Sequence, residues 1–323
     1  KDGTAGEFRQ PWLVAPNLPP ATAEDARIDE ASTAIGLDLD QDEAYRARKL
    51  LFAPEVAASE LAPGTDQPGT VPGEIQTSLP SVFRARPVTV DQTEYGYLRI
   101  FTFNVSDPDG FVAEFVRLIE ALPRRGLIVD VRGNCGGHIW PAELILQTLT
   151  PAVITPEPTQ FVTTSLNAEL CRQHDHGQGG IDLGPWVPSM AQAVETGATH
   201  SNAFSITPAD RANVVGQRYF GPVVLITDAR CYSATDIFAA GFQDHGIGQV
   251  LGVDTNTGAG GANVWTHSLL SQLMSTRGSV RSPYRALPAG VDMRVSIRRT
   301  LRVADAAGTP VEDLGVVPDE RHH

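Results

Sequence analysis

The sequence predicts an α/β domain preceded by a Pro-rich N-terminal arm, and three observations carry that expectation. Two short continuous apolar runs, "GLIVDVRG" and "PVVLITD", have the length and bounding turns of buried strands. Each is followed by a turn and then by apolar residues at helical spacing, and strands alternating with helices define the α/β class. Before Tyr95 that alternation is missing, and Pro, Ala, Asp and Glu dominate instead.

Residues 1–94 contain "PNLPPATAEDARIDEAST" and "ELAPGTDQPGTVPGEIQ", which bracket one helical candidate at about Asp42 to Phe52. This stretch reads as an extended arm or linker. The core is expected over residues 95–319, beginning with the strand-like "YGYLRIFTF". In "GFVAEFVRLIEALP" the residues Phe111, Phe115, Leu118 and Leu122 share one helical face. "GLIVDVRG" then leads through Gly136-Gly137 into the helical "IWPAELILQTL". From about 167 to 217 the composition turns to Gly, Pro, His and polar residues, with a short helix at "MAQAVETG", so this segment reads as a lid-like insertion. After "PVVLITD", Ser233 opens a helix on which Ala234, Ile237, Phe238, Gly241 and Phe242 fall on one face. The chain continues with a helix at "LLSQLM", a β-rich "MRVSIRRTLRV", and a polar stretch containing "PVEDLGVVPDE" that ends in a tail, 320–323.

Bulk properties narrow the function classes. With 25 Lys plus Arg against 38 Asp plus Glu, the formal charge is −13, which argues against a nucleic-acid partner. The three cysteines, Cys135, Cys171 and Cys231, have no CxxC spacing and read as reduced, packed thiols. No metal site is expected, because no HxxxH or comparable spacing occurs, and no cofactor is implied. No apolar run reaches the roughly 18 residues of a spanning helix, so membrane insertion is not expected. The N-terminus lacks a signal-type apolar stretch, and the compartment is left unassigned. The opening Lys-Asp-Gly is unlike a native start, which points to an upstream segment removed by processing or design.

Ser233 stands at the first turn of a helix directly after a buried strand, where free backbone N–H groups and the positive end of the helix dipole favour a nucleophile and its oxyanion. The competing reading is a plain helix N-cap. Gly136-Gly137, after the other buried strand, can bring a second amide to the same carbonyl oxygen, or form only a tight turn.

Taken together, "GLIVDVRGNCGG", "GPVVLITDARCYSATDIFAAGFQDHGIGQVLGVDTNTGAGG" and "PVEDLGVVPD" resemble the C-terminal processing peptidases, also called tail-specific proteases, and their tricorn-like relatives. The resemblance spans roughly residues 95–319. It implies a crotonase/ClpP-like core of repeated ββα units, with Ser233 of Ser233-Ala234-Thr235-Asp236 as nucleophile where the family has Ser-Ala-Ser-Glu. It also implies an oxyanion hole from the Ala234 N–H and a glycine of Asn134-Cys135-Gly136-Gly137, Gly136 first.

The family's catalytic lysine, about 25 residues after the serine, is absent: the region reads Thr255-Asn256-Thr257-Gly258-Ala259-Gly260, and Lys1 and Lys49 are the only lysines in the chain. The tricorn-like branch uses Ser–His–Glu instead, and Glu312 matches its closing glutamate. No histidine precedes His138, so the candidates for the general base are His138, a histidine outside this sequence or from another chain, or none. His245 reads as a helix C-terminal residue and His267 as a strand-end residue. His174, His176 and His200 fall in the insertion, and His322 and His323 carry no ligand reading. Cys135 and Cys231 flank the same cleft but lack an activating partner.

The resulting expectation is a serine endopeptidase acting on extended or unstructured protein segments. No PDZ-like segment precedes Tyr95, which leaves C-terminal selectivity unsupported. Two alternatives stay open: a non-catalytic ligand- or peptide-binding protein on the same fold, and crotonase-type acyl-CoA chemistry. Homo-oligomerisation is open as well.

Overall fold

The computed structural model describes residues 73–175, 182–261, 264–275, 282–285, 287–288, 291 and 293–322. The helical candidate at about 42–52 lies outside them, as does His176.

The main sheet begins earlier than the change in composition suggests. Strands β1 (Phe83–Val90) and β2 (Thr93–Ile100) form an antiparallel hairpin, and Ile75 bridges Ala85 beside it. The packed unit therefore includes about twenty residues that read as arm. Pro87 hides β1 from sequence inspection, yet proline is tolerated here because β1 is an edge strand.

The chain then forms α1 (Pro108–Ala121), β3 (Leu127–Asp130) and α2 (Ile139–Gln147). Asp107 caps α1 through Gly110 N–H, Pro108 occupies its first turn, and Phe111, Phe115 and Leu118 are buried along one face. Next come β4 (Pro158–Phe161), α3 (Ser165–Gln173), α4 (Val187–Thr196), β5 (Phe204–Ser205) and α5 (Ala209–Ala212). The sheet resumes with β6 (Val223–Thr227), α6 (Ala234–Asp244) and β7 (Gly248–Gly252). The remainder comprises β8 (Val264–Thr266), α7 (His267–Leu273), β9 (Arg294–Ser296), β10 (Arg298–Thr300) and β11 (Glu320–Arg321).

Six strands run in the order β1-β2-β3-β6-β7-β11, parallel from β2 onward. Helices α1, α2 and α6 pack on one face over a core that includes Phe83, Leu98, Val129, Leu225 and Val250. A second, smaller core gathers Phe161, Met190, Trp186, Trp265 and Leu270 around the three-stranded sheet β10-β4-β5 and the pair β8-β9. The segment expected as an insertion thus contributes α3 and α4 to this second core.

One register decides where the site falls. Strands β3 and β6 are neighbours, with Asp130 opposite Ile226, so the turns at their C-terminal ends lie side by side although 95 residues separate Gly133 from Asp228. Helix α6 is buried nearly all round, and its small residues Ala239, Ala240 and Gly241 allow close packing. Phe238 is fully buried against Phe103 and Phe242, with ring centroids 5.6 and 6.4 Å away. Phe238→Ala is therefore expected to cost about 3–5 kcal/mol, read as a lowered urea midpoint with unchanged slope.

Candidate active site

The turns after β3 and β6 are joined by Asp228 and Asn134. Asp228 Oδ1 accepts Gly133 N–H at 2.8 Å and Arg230 N–H at 3.0 Å. The Cys231 thiol donates to Val131 O at 3.2 Å, and Tyr232 N–H to Asn134 O at 3.1 Å. All three cysteines are buried and free, and burial pushes the Cys171 and Cys231 thiols well up, Cys171 to about 12. These two thiols are thereby held in the unreactive, protonated form.

Ser233 sits at the N-cap position of α6 without behaving as a cap. Its φ of 57° and ψ of −122° lie in the left-handed half of the map, its side chain makes no capping bond, and Oγ has no hydrogen-bond partner among the described residues. Such a backbone costs roughly 1–3 kcal/mol and needs neighbours that enforce it. Thr235 N–H returns to Tyr232 O and Ile237 N–H to Ser233 O, both at 3.1 Å.

The main restraint is Asp236, which is wholly buried one helical turn on. Its carboxylate accepts Gly260 N–H at 2.9 Å and Ala259 N–H at 3.2 Å, and is bonded as well by the Thr257 hydroxyl and the Ser233 backbone. Burial pushes this carboxyl up to about 7 against those donors. The sequence reading gave Asp236 no role, although Ser-Ala-Thr-Asp fits the capping-box pattern in which the fourth residue reaches back to the first.

Gly136 stands against Ser233. Its φ is +105°, and a Cβ there would lie 2.7 Å from Ser233 Cβ and 2.9 Å from Ala234 N. The glycine turn, the serine and the first amide of α6 are thus in mutual contact. The Gly136 N–H, however, already donates to Asn134 Oδ1 at 3.0 Å, while those of Gly137 and Ala234 have no acceptor among the described residues. Gly137, at φ +136°, is pinned by its neighbours: Phe103 N–H donates to Gly136 O and His138 N–H to Phe103 O.

His138 stands at the N-cap position of α2 without a side-chain capping bond and is 6% exposed; burial lowers its imidazole to about 4, partly opposed by a bond to the Val105 backbone. Its Nδ1 is buried without a partner, and no bond joins it to Ser233 among the described residues. Glu312 reaches the same end of α6 through the loop that Asp236 holds. Asp313 N–H donates to Ala259 O at 3.0 Å, and a Cβ on Gly261 would be 3.2 Å from Glu312 N. Elsewhere, His174 Nε2 bonds Leu273 O, His200 bonds the Thr199 hydroxyl, and His267 begins α7. His245 terminates α6, its ring bonded to Gly241 O.

An open cavity of about 350 Å³, lined by Val162, Leu166, Leu270, Met293 and Val295 among others, belongs to the second core and includes neither Ser233 nor Gly136. Among the described residues no cluster of three or more His, Cys, Asp or Glu is placed to hold a metal ion, and no helix is long and apolar enough to cross a membrane.

A strained serine at a helix N-terminus, with a glycine turn packed on it, is an arrangement suited to acyl transfer. The family model of Peptidase family S41 matches residues 94–320, and the chain belongs to that family. No curated protein sequence matches it. Among solved structures, mature CPAF complexed with lactacystin is similar at 18% identity and a TM-score of 0.53, covering 80% of this chain and 53% of that one. Mature CPAF is similar at 16% identity and a TM-score of 0.53, covering 83% and 56%. The chain thus spans little more than half the length of these relatives, and at such identities the likeness is one of fold.

Two outcomes test the site geometry. Gly136→Ala should displace Ser233 and lower its labelling by an active-site-directed probe by about 10²-fold, with the circular dichroism spectrum unchanged. Asp236→Asn removes acceptor capacity from buried N–H groups and should cost about 1–3 kcal/mol, read as a lower thermal midpoint.

Proposed function

We propose that this chain is a serine endopeptidase that hydrolyses peptide bonds of extended or unstructured protein segments through an acyl-enzyme on Ser233. The observation that supports this reading is the uncapped, positive-φ serine at the start of α6 with Gly136 packed against it. Ser233 Oγ attacks the carbonyl carbon while its proton passes to the base. The tetrahedral oxyanion is held by the Ala234 N–H and by a second amide of the glycine turn. The Gly137 N–H is open for that task, whereas the Gly136 N–H would first have to leave Asn134. The base then protonates the departing amine, and water cleaves the ester by the same route.

His138 is the base candidate within the chain. It is neutral above about pH 4, and with one ring nitrogen bonded to the Val105 backbone the partnerless Nδ1 keeps a lone pair to receive a proton. Glu312 is the supporting carboxylate. A histidine from outside this sequence is the competing base, and His138→Ala separates the two. A rate loss of about 10²–10⁴-fold is expected if His138 serves, and an unchanged rate assigns the base elsewhere.

A second reading, a peptide-binding protein without catalysis, is favoured by one observation: Ser233 Oγ has no basic partner among the described residues. A fluorophosphonate probe discriminates. Labelling of the wild type but not of Ser233→Ala, with loss of cleavage of an unfolded protein in that variant, is the expected result. A wild type that neither labels nor cleaves is the binder.

A further inference from the structure

The two helices that carry the halves of the site, α2 below the glycine turn and α6 behind Ser233, close on a pair of buried carboxyl groups. Glu143 of α2 is 1% exposed, and Glu157, one residue before β4, is 3% exposed. Glu143 Oε1 accepts the Glu157 backbone N–H at 3.2 Å, which sets the two carboxyl groups side by side. Glu143 Oε2 and both carboxyl oxygens of Glu157 are buried without a hydrogen-bond partner among the described residues. Glu157 Oε1 lies 3.1 Å from the point where a Cβ on Gly241 of α6 would stand, so this carboxyl is wedged between α2 and α6.

No cation answers the pair among the described residues. From α6 the nearest charge is Asp244, itself an acid, which is held by Arg302. His245, at the end of α6, is turned to other partners: Nδ1 bonds Gly241 O at 2.8 Å and Nε2 accepts Thr155 N–H at 2.9 Å. The stretch after β5 brings Thr207 beside Glu143, and its buried hydroxyl has no hydrogen-bond partner among the described residues. Two buried carboxylates side by side, without a counter-charge among the described residues, cannot both ionise.

We propose that Glu143 and Glu157 share one proton and act as positioning residues, their hydrogen-bonded pair holding α2 against α6 and thereby the glycine turn against Ser233. The positioning half of this proposal rests on the peptidase reading; the shared proton does not. Burial holds both carboxyls above the ordinary carboxylate range, Glu143 at about 7. An acid whose folded value is raised contributes its full stabilisation below the unfolded value, near 4.5, and loses it as pH rises through the folded one.

Thermal midpoints of the full chain at pH 6 and pH 9 test the shared proton. Wild type should fall by about 5–10 °C across that interval. Asp236 contributes to the same fall, so the decisive comparison is Glu157→Gln, whose amide donates to Glu143 at any pH and should retain less than half of the drop. A variant that tracks wild type overturns the shared proton. If Glu157→Gln does not fold, Glu143→Gln is read in the same way. The infrared band of a protonated carboxyl in wild type at pH 6, weakened in whichever variant folds, is the independent measure, and an undiminished band overturns the proposal. For the positioning half, Ser233 labelling in wild type should decline between pH 6 and pH 9 and decline less in Glu157→Gln. Identical profiles overturn that half, while a wild type unlabelled at every pH overturns the peptidase reading and leaves the thermal test decisive for the proton.

Discussion

The bond from Gly133 N–H to the Asp228 carboxylate is the contact on which the rest of the site depends. Parallel strands β3 and β6 bring their C-terminal ends together, but neighbouring strands alone would leave two independent turns. With one oxygen Asp228 accepts amides from both turns, and Tyr232 N–H on Asn134 O completes the seam. Gly136 then meets Ser233 and Ala234 at contact distance. The seam is buried, where an unmade bond is costly, so its geometry is enforced rather than merely allowed.

The elements that pack against the main sheet were legible in the sequence because their apolar pattern follows their geometry. Strands β3 and β6, helix α1 with Phe111, Phe115 and Leu118 inward, and helix α6 from Ser233 all read correctly. Strand β1 did not, since "FRARPVTV" alternates arginine with small residues and contains a proline, the pattern of an edge strand with one half-exposed face. Of the second core, the helices at "MAQAVETG" and "LLSQLM" and the β-rich "MRVSIRRTLRV" were legible, but its assembly was not, because β4, β8, β9 and β10 are three or four residues each and gain their partners from distant parts of the chain.

Sequence pattern singled out Ser233, Gly136 and Gly137 as candidates, but not the bonds that restrain them. That Ser233 does not cap its own helix is a fact of φ and ψ, which residue identity does not specify. That the Gly136 amide is occupied follows from Asn134, a residue the motif contains but whose side-chain direction it leaves open. The carboxyl pair of Glu143 and Glu157 is separated by 14 positions and falls on no motif; only the folded packing of α2 against α6 brings it into being.

The restraint on Ser233 has a consequence in time. Asp236 is satisfied by amides of Ala259 and Gly260, and that loop is in turn fastened by Asp313, 80 positions after the serine. A chain emerging from the ribosome completes helix α6 well before those donors exist. Until they arrive, Asp236 lacks two of the donors that hold it, and the restraint on the serine's strained backbone is incomplete. The full restraint on Ser233 is thus among the last features that synthesis completes.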